Sequence, residues 1–319
     1  MKGLTDIPGI LVGHASDYEG ITGCTVILCE AGAVAGGDIR GSATGTEEWD
    51  VLNPMHITPR IHAVVFAGRS VFGLEAASGV RRYLEHKGVG FEFGRARIPI
   101  VPAAILFDLG IGKTNIRPTR EMGESAAAAA TDKPVVEGAV GAGTGATVGK
   151  LLGMKQAMKS GIGSFSLELE GSHAGVKVAA LAAVNAVGDV LDPASRKIVA
   201  GARTSPDSME FAGSARIMKN GAGAGASRQN TTLVVVATNA RLTKLEASKL
   251  AQLASLGMAR AIDPVNTMSD GDLVIALSLG EATAPIDSLG VAAAEVVSES
   301  IVRAVRFAPT LGGIPGLKK

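Results

Sequence analysis

The chain has few aromatic residues and almost no net charge. Only 3% of its 319 residues are aromatic although 46% are hydrophobic, and 31 Lys and Arg balance 30 Asp and Glu to a formal net charge of +1. A core with so few rings must be built from Ala, Val, Leu and Ile, and the 42 glycines let backbones approach closely. A chain without an excess of charge offers no electrostatic footprint for nucleic acid or for an anionic membrane. We therefore expect neither of these partners.

Targeting segments, disulfide pairs and metal-ligand clusters are missing as well. The N-terminal MKGLTDIPGILVGH lacks the apolar stretch of a signal peptide, and no uncharged apolar run approaches the ~18 residues of a transmembrane helix, so we expect a soluble, cytoplasmic protein. Cys24 and Cys29 lie five positions apart in an apparent strand. Their side chains should point to opposite faces, as two small buried hydrophobic residues. The histidines are scattered without metal-ligand spacing, so no metal or other cofactor is expected.

The hydrophobic pattern predicts an α/β fold, and the length allows one large domain or two smaller ones. Strands or buried extended segments are expected at 22–39 (two strands with a turn), 61–68, 98–109, 164–170, 176–192 (a strand pair or one bent strand), 231–240 and 270–280. Helices are expected at 72–88, 119–130, 243–262 and 287–307. The predicted helix caps are Thr119, the capping box Thr243 with Glu246, and Asp287 or Ser288. Helices outside two such sheets would give a layered αββα arrangement.

Two glycine-rich tracts invite a nucleotide-binding interpretation. GAGTGATVGK at 141–150 resembles a phosphate-binding loop, but Thr144 occupies the position of the required first glycine, and Leu151 stands where Ser or Thr must hold magnesium. Both tracts also fit G-x-G-x-x-G/A, yet the second, GAGAGAS at 221–227, leads into a strand instead of a helix. Glycines that allow close backbone packing explain both tracts better, and a nucleotide-binding protein remains an alternative of a different class.

The junction between Asn230 and Thr231 is a more specific signal. A threonine hydroxyl needs an adjacent base, and if the peptide bond before Thr231 is cut, the new α-amine can serve, because it titrates near ~7.7–8.0. The sequence supplies a strand that begins at Thr231 and, before it, a linker candidate at 209–229 that ends in the Gly/Ala tract. On spacing alone, Thr231 and Thr232 are also explained as the ordinary opening of a β-strand.

Several motifs resemble those of the L-aminopeptidase/D-esterase family, which includes the β-peptidyl aminopeptidases and the 6-aminohexanoate (nylon) oligomer hydrolases. They are NTTLVVVATNARLTKLEASKLAQLASLGMARAIDP, SDGDLVIALS, GRSVFGLEAASGV, GAGTGATVGK and the N-terminal GLTDIPGILVGHASDYEGITGC. The resemblance implies a single hydrolase domain, residues 1–319, folded as a four-layer αββα sandwich of the N-terminal-nucleophile type. It implies a precursor that cleaves itself before a Ser or Thr. It also implies that the two fragments stay together, usually in tetramers. Carried over, cleavage falls between Asn230 and Thr231 and gives an α fragment, 1–230, and a β fragment, 231–319.

The resemblance also implies supporting residues. Asp270 and Asp272 correspond to the family's acidic or polar pair; their i, i+2 spacing puts both carboxylates on one face, where they could accept hydrogen bonds from the nucleophile. Two aspartates resemble the nylon-oligomer branch, since peptidase members often have Ser at one position. Lys150 matches a lysine of that branch, and Asn185 matches an asparagine expected to donate to the oxyanion. Phe107 departs from relatives that carry an assisting tyrosine there, which leaves the donor set open.

The function expected from the resemblance is that of an N-terminal-threonine hydrolase. It would cleave amide or ester bonds, as an aminopeptidase acting on short peptides or amino-acid amides. Hydrolysis of 6-aminohexanoate oligomers is the alternative within the fold, and acyl transfer of the ornithine acetyltransferase type is a further one. A non-catalytic scaffold is a third class of protein, beside the hydrolase and the nucleotide-binding protein. The sequence leaves open the preferred acyl group and whether L, D or β residues are accepted.

Overall fold

A computed structural model describes residues 2–221 and 230–318. The strands are β1 Leu11–Asp17, β2 Thr22–Ile39, β3 Thr46–Glu47, β4 Ile61–Ala67, β5 Phe91–Phe93, β6 Ala96–Ile98, β7 Ala103–Ile105, β8 Thr147–Val148, β9 Met158–Lys159, β10 Ile162–Glu168, β11 Lys177–Asn185, β12 Asp189–Leu191, β13 Ile198–Ala200, β14 Thr231–Ala240, β15 Ile262–Asp263 and β16 Leu273–Ala282. The helices are α1 Glu75–His86, α2 Arg120–Ala128, α3 Ser214–Lys219, α4 Lys244–Ala261 and α5 Ile286–Arg306.

Strand β2 joins two sheets. Its first half, residues 22–28, pairs with β1 and β4, and its second half, residues 34–39, pairs with β16. The predicted pair of strands with a turn is therefore wrong, because β2 runs unbroken through this segment. It bends instead, because the register shifts between Leu28 and Ala33 and Gly32 adopts a φ of 85°, which glycine tolerates without strain. The second sheet has the order β10-β11-β14-β16-β2, and the first continues from β2 through β4 and β7 to β3.

The two sheets pack face to face between two layers of helices. Alternate residues of β14 show this directly, because Leu233 and Val235 lie in a core shared by both sheets, whereas Val234 and Val236 pack towards α4 and α5. On the far side of the first sheet, a third core contains residues of β2 and β4 together with α1 and α2. The layers are thus helix, sheet, sheet, helix, and the predicted αββα sandwich is confirmed.

The two cysteines follow the same alternation. Cys24 lies in the core under α1 and α2, whereas Cys29 lies in the core between the sheets. Both are buried and free, as expected for side chains on opposite faces of one strand.

Local signals predicted two helix starts correctly and one wrongly. Thr119 caps α2, and Thr243 with Glu246 forms the predicted capping box of α4. Helix α5 begins one residue earlier than predicted, with Pro285 at its N-cap. Asp287 therefore lies in the first turn, where its negative charge interacts favourably with the positive end of the helix dipole.

Some of the remaining predicted segments are found only in part, whereas 176–192 contains two strands, which was one of its two alternatives. The stretch 98–109 contains the short buried strand β7, and 176–192 forms two strands, β11 and β12. Part of the linker candidate 209–229 is the short helix α3, while 222–229, with most of the Gly/Ala tract, lies outside the described residues. Across the described ranges, no helix is both long and apolar enough to cross a membrane.

The helix layer depends on close contact between α1 and α2. A methyl group at Gly123 would lie 2.0 Å from the Ala76 carbonyl oxygen. We expect Gly123→Ala to lower the free energy of unfolding by about 1–3 kcal/mol, because the backbone of α1 must move. Urea titration measures this. Ser125→Ala, at an exposed position of the same helix, is the control; equal effects of the two variants would contradict the packing account.

Candidate active site

The start of β14 lies where three strand ends meet. Strand β14 is antiparallel to β11 and parallel to β16, so its first residue lies beside the last residue of β11 and the segment that enters β16. Thr231 pairs with Asn185 on one side, and Asn230 forms a bridge with Asp270 on the other. Side chains directly opposite each other on antiparallel strands project from the same face. The sheet topology therefore brings together residues far apart in sequence.

The Thr231 hydroxyl contacts the peptide bond that precedes it. Its Oγ1 donates a hydrogen bond of 2.5 Å to the Asn230 carbonyl oxygen, and the Gly271 N–H donates one of 2.9 Å to the same oxygen. A Cβ on Gly271 would lie 2.8 Å from Thr231 Oγ1, so this hydroxyl position requires glycine at 271. The nucleophile candidate and an oxyanion donor thus converge on one carbonyl group, and only 2% of Thr231 is exposed.

The two carboxylates bind backbone groups around this peptide bond. Asp272 accepts from Thr232 N at 2.6 Å and from Asn266 N at 2.9 Å, while Asp270 accepts from the hydroxyl and N–H of Thr267. Burial, together with the charge of the neighbouring Asp270, raises the pKa of Asp272 to about 7. Burial also raises the pKa of Asp270. In the described residues, neither carboxylate accepts from the Thr231 hydroxyl, which donates to the carbonyl instead.

Lys150 and Asn185 form the other side of the site. Lys150 Nζ donates to the Asn185 side-chain oxygen at 2.7 Å and to its backbone oxygen at 2.9 Å, and Thr147 N donates to that side-chain oxygen at 3.1 Å. Burial lowers the pKa of Lys150 to about 7, opposed mainly by the charge of Asp270. Asn185 is fully buried, and its amide nitrogen donates to the Phe107 carbonyl oxygen at 2.9 Å. The amide is therefore held at both ends.

Phe107 contributes its backbone carbonyl to the site. It lines a small space with Thr147 and Lys150, and its ring supplies no hydroxyl. Sequence reasoning missed two contributions, the Phe107 carbonyl and the Gly271 N–H, because every residue carries the same backbone groups. The only signal for the second was the glycine between the two aspartates of SDGD.

All five predicted site residues lie in one chain of contacts. Lys150 touches Asn185, which is opposite Thr231, and the two aspartates hold the backbone on the other side. Over residues 2–221 and 230–318, no group of three His, Cys, Asp or Glu side chains is arranged to hold a metal ion. The cluster offers a hydroxyl, an amide donor, a backbone N–H donor and ionisable groups whose pKa values lie near neutrality.

Comparisons with known proteins agree over nearly the whole chain. The sequence model of peptidase family S58 matches residues 2–318. An uncharacterized aminopeptidase of Mycobacterium leprae is 38% identical, covering 99% of this chain and 93% of its own length. A 6-aminohexanoate-oligomer endohydrolase of Kocuria sp. is 29% identical, covering 94% and 85%. The solved L-aminopeptidase D-Ala-esterase/amidase of Ochrobactrum anthropi, described as a variant of the Ntn hydrolase fold, aligns with a TM-score of 0.75 at 20% identity, covering 98% and 88%.

The raised pKa of Asp272 predicts a pH-dependent stability. The folded chain keeps this carboxyl protonated up to about 7 rather than the usual 3.8, so its contribution is complete at acid pH and is lost as the pH rises towards 7. We expect Asp272→Asn to make this decline smaller, while the raised pKa of Asp270 maintains a part of it. Urea titrations between pH 4 and 8 measure it, in a Thr231→Ala background that we expect to stay one chain. Stability curves of the two chains that run parallel over this range would contradict the assignment.

Proposed function

The chain belongs to peptidase family S58, and we propose that its nucleophile is Thr231, released by cleavage of the Asn230–Thr231 bond. The protein is a hydrolase of the N-terminal-nucleophile fold and an aminopeptidase or amidase. We propose short peptides and amino-acid amides or esters as its substrates. The observation that carries the proposal is the double contact on the Asn230 carbonyl oxygen, from the Thr231 hydroxyl and the Gly271 N–H.

Self-cleavage follows from this contact. The Thr231 oxygen attacks the Asn230 carbonyl carbon, and the Gly271 N–H stabilises the negative charge that develops on the carbonyl oxygen. The C–N bond then breaks, and the nitrogen leaves with the proton of the hydroxyl as the new Thr231 amine. The ester that remains is opened by water, which returns the Thr231 hydroxyl and leaves a carboxylate on Asn230.

The mature enzyme uses the new amine as its base. A free α-amine with a pKa near ~7.7–8.0 is partly unprotonated at neutral pH, so it can take the proton of the Thr231 hydroxyl. The hydroxyl attacks the substrate carbonyl, and the Asn185 amide nitrogen stabilises the oxyanion. Lys150 contributes by holding the oxygen end of that amide, and the Phe107 carbonyl holds one hydrogen of its nitrogen, so the second hydrogen is the donor that we propose for the oxyanion. The bond from the carbonyl carbon to the substrate's amine nitrogen or alcohol oxygen then breaks, and that leaving group takes the proton back from the Thr231 ammonium. Water then releases the acyl group from Thr231.

The sheet order supports a lasting association of the two fragments. Strands β14 and β16 of the fragment 231–319 lie between β11 and β2 of the fragment 1–230. Separation would expose the buried faces of all four strands to water, at a large cost in hydrophobic free energy. The tetrameric assembly and the cytoplasmic location expected from the sequence stay predictions.

Hydrolysis of 6-aminohexanoate oligomers is a second candidate function. The paired Asp270 and Asp272 and the similarity to the Kocuria enzyme favour it. Initial rates on amino-acid amides and on 6-aminohexanoate oligomers, with the same enzyme preparation, separate the two substrates. We expect the higher kcat/KM on the amino-acid amides. A higher value on the oligomers would make the second candidate the function.

The nucleophile is tested by two neighbouring threonines. We expect Thr231→Ala to give one uncleaved and inactive chain, because the variant lacks the hydroxyl that contacts the Asn230 carbonyl. Thr232→Ala, the matched control on the same strand, should still be cleaved. Denaturing gels and amide hydrolysis measure both outcomes. Two fragments from the Thr231→Ala chain would refute the assignment.

A further inference from the structure

A buried ion pair that the proposed reaction does not use lies behind Asn185. The side chains of Arg69 and Asp108 are both fully buried, with 3.9 Å between Arg69 Nε and Asp108 Oδ1. Arginine is almost never fully buried unless it is paired. Arg69 also has a φ of 65°, in the left-handed region that residues with a side chain rarely adopt. A buried charge and a strained backbone at one residue persist only where the surroundings hold them, and they occur most often at functional sites.

Each of the two residues binds the backbone of the other. The Arg69 N–H donates to Asp108 Oδ1 at 2.7 Å, and Arg69 Nη1 donates to the Asp108 carbonyl oxygen at 2.8 Å. The Thr22 hydroxyl donates to Asp108 Oδ2 at 2.9 Å, and Arg69 Nη2 donates to the carbonyl oxygens of Gly20 and Ile111. This Arg69–Asp108 clamp therefore fixes the backbone around residue 108 from two sides.

The clamp is linked to the Asn185 amide through a single peptide bond. The carbonyl oxygen of Phe107, in the peptide bond before Asp108, accepts from Asn185 Nδ2 at 2.9 Å. Lys150 and Thr147 hold the oxygen end of the same amide. An amide group is planar and its nitrogen carries two hydrogens, so fixing one hydrogen and the oxygen also fixes the direction of the second hydrogen. That second hydrogen is the one available to an oxyanion.

We propose that Arg69 and Asp108 are positioning residues, which orient the oxyanion donor Asn185 by holding the Phe107 carbonyl. This rests on the proposed function, because it concerns the substrate reaction at Thr231. The clamp is not part of self-cleavage, in which the Gly271 N–H holds the Asn230 oxygen. Its loss should therefore lower kcat and leave both KM and self-cleavage close to the wild-type values.

The test needs a variant that loses the ion pair and still folds. Replacing a buried ion pair by apolar residues of similar size is often neutral or stabilising, so Arg69→Met with Asp108→Leu removes the clamp without leaving an unpaired buried charge. Cleavage into the two fragments shows that the variant has folded. Asp108→Asn, which keeps the shape of the side chain, serves in the same experiment if the double variant stays uncleaved.

The experiment is a double-mutant cycle that combines the clamp variant with Asn185→Ala. The quantity compared is kcat, measured by amide hydrolysis. We expect Asn185→Ala to lower kcat by ~10²–10³-fold, as for other oxyanion donors, and the clamp variant to lower it by about 10–100-fold with KM little changed. If the clamp acts through Asn185, adding the clamp variant to Asn185→Ala costs nothing further. An equal loss in both backgrounds, or no loss with Asn185 present, overturns the proposal.

The control removes a different partly buried ion pair. Arg303 on α5 pairs with Glu137 and has no contact with the clamp, so Arg303→Met reports the general effect of losing such a pair. We expect its kcat to stay near the wild-type value. Failure of the proposed function is visible separately, as a wild-type chain that is neither cleaved nor active. A cleaved and active wild type with unaffected clamp variants would overturn the clamp alone.

Discussion

The site depends on the direction of one strand between its two neighbours. Because β14 is antiparallel to β11 and parallel to β16, its first residue lies beside the last residue of β11 and the segment before β16. Thr231 is thereby held next to Asn185 and Gly271, which are 46 and 40 positions away along the chain. Among the described residues, none of the side chains in this cluster comes from helices α1, α2, α4 or α5. The layers instead bury the sheets from outside and keep the three strand ends in register.

Burial favours the neutral form of both the acids and the base of the site. It raises the pKa of Asp272 and lowers that of Lys150, in each case to about 7, because each charged form loses its hydration. Neither group is therefore locked in one charge state near neutral pH.

The sequence predicted what is local or alternating, and missed what depends on distant backbone. Thr119 and the Thr243 capping box act within one turn of helix, and the opposite faces of Cys24 and Cys29 follow from the two-residue period of a strand, so these were predicted correctly. The bend in β2 depends on pairing with different partners, which no local pattern shows. In the site, the resemblance supplied Thr231, Asn185, Lys150 and the two aspartates, whose catalytic roles stay predictions. The Gly271 N–H and the Phe107 carbonyl have no signature in a sequence, and Arg69 meets Asp108 only through the fold.

The central claim is that Thr231 becomes an N-terminal residue and then reacts as the nucleophile. Intact-mass spectrometry of the purified wild-type chain, before and after a brief exposure to an ester substrate, tests both parts at once. We predict two species with the masses of residues 1–230 and 231–319, and a transient acyl adduct on the second that maps to Thr231. An active protein with the mass of a single uncut chain, or an adduct on any other residue, would contradict the account.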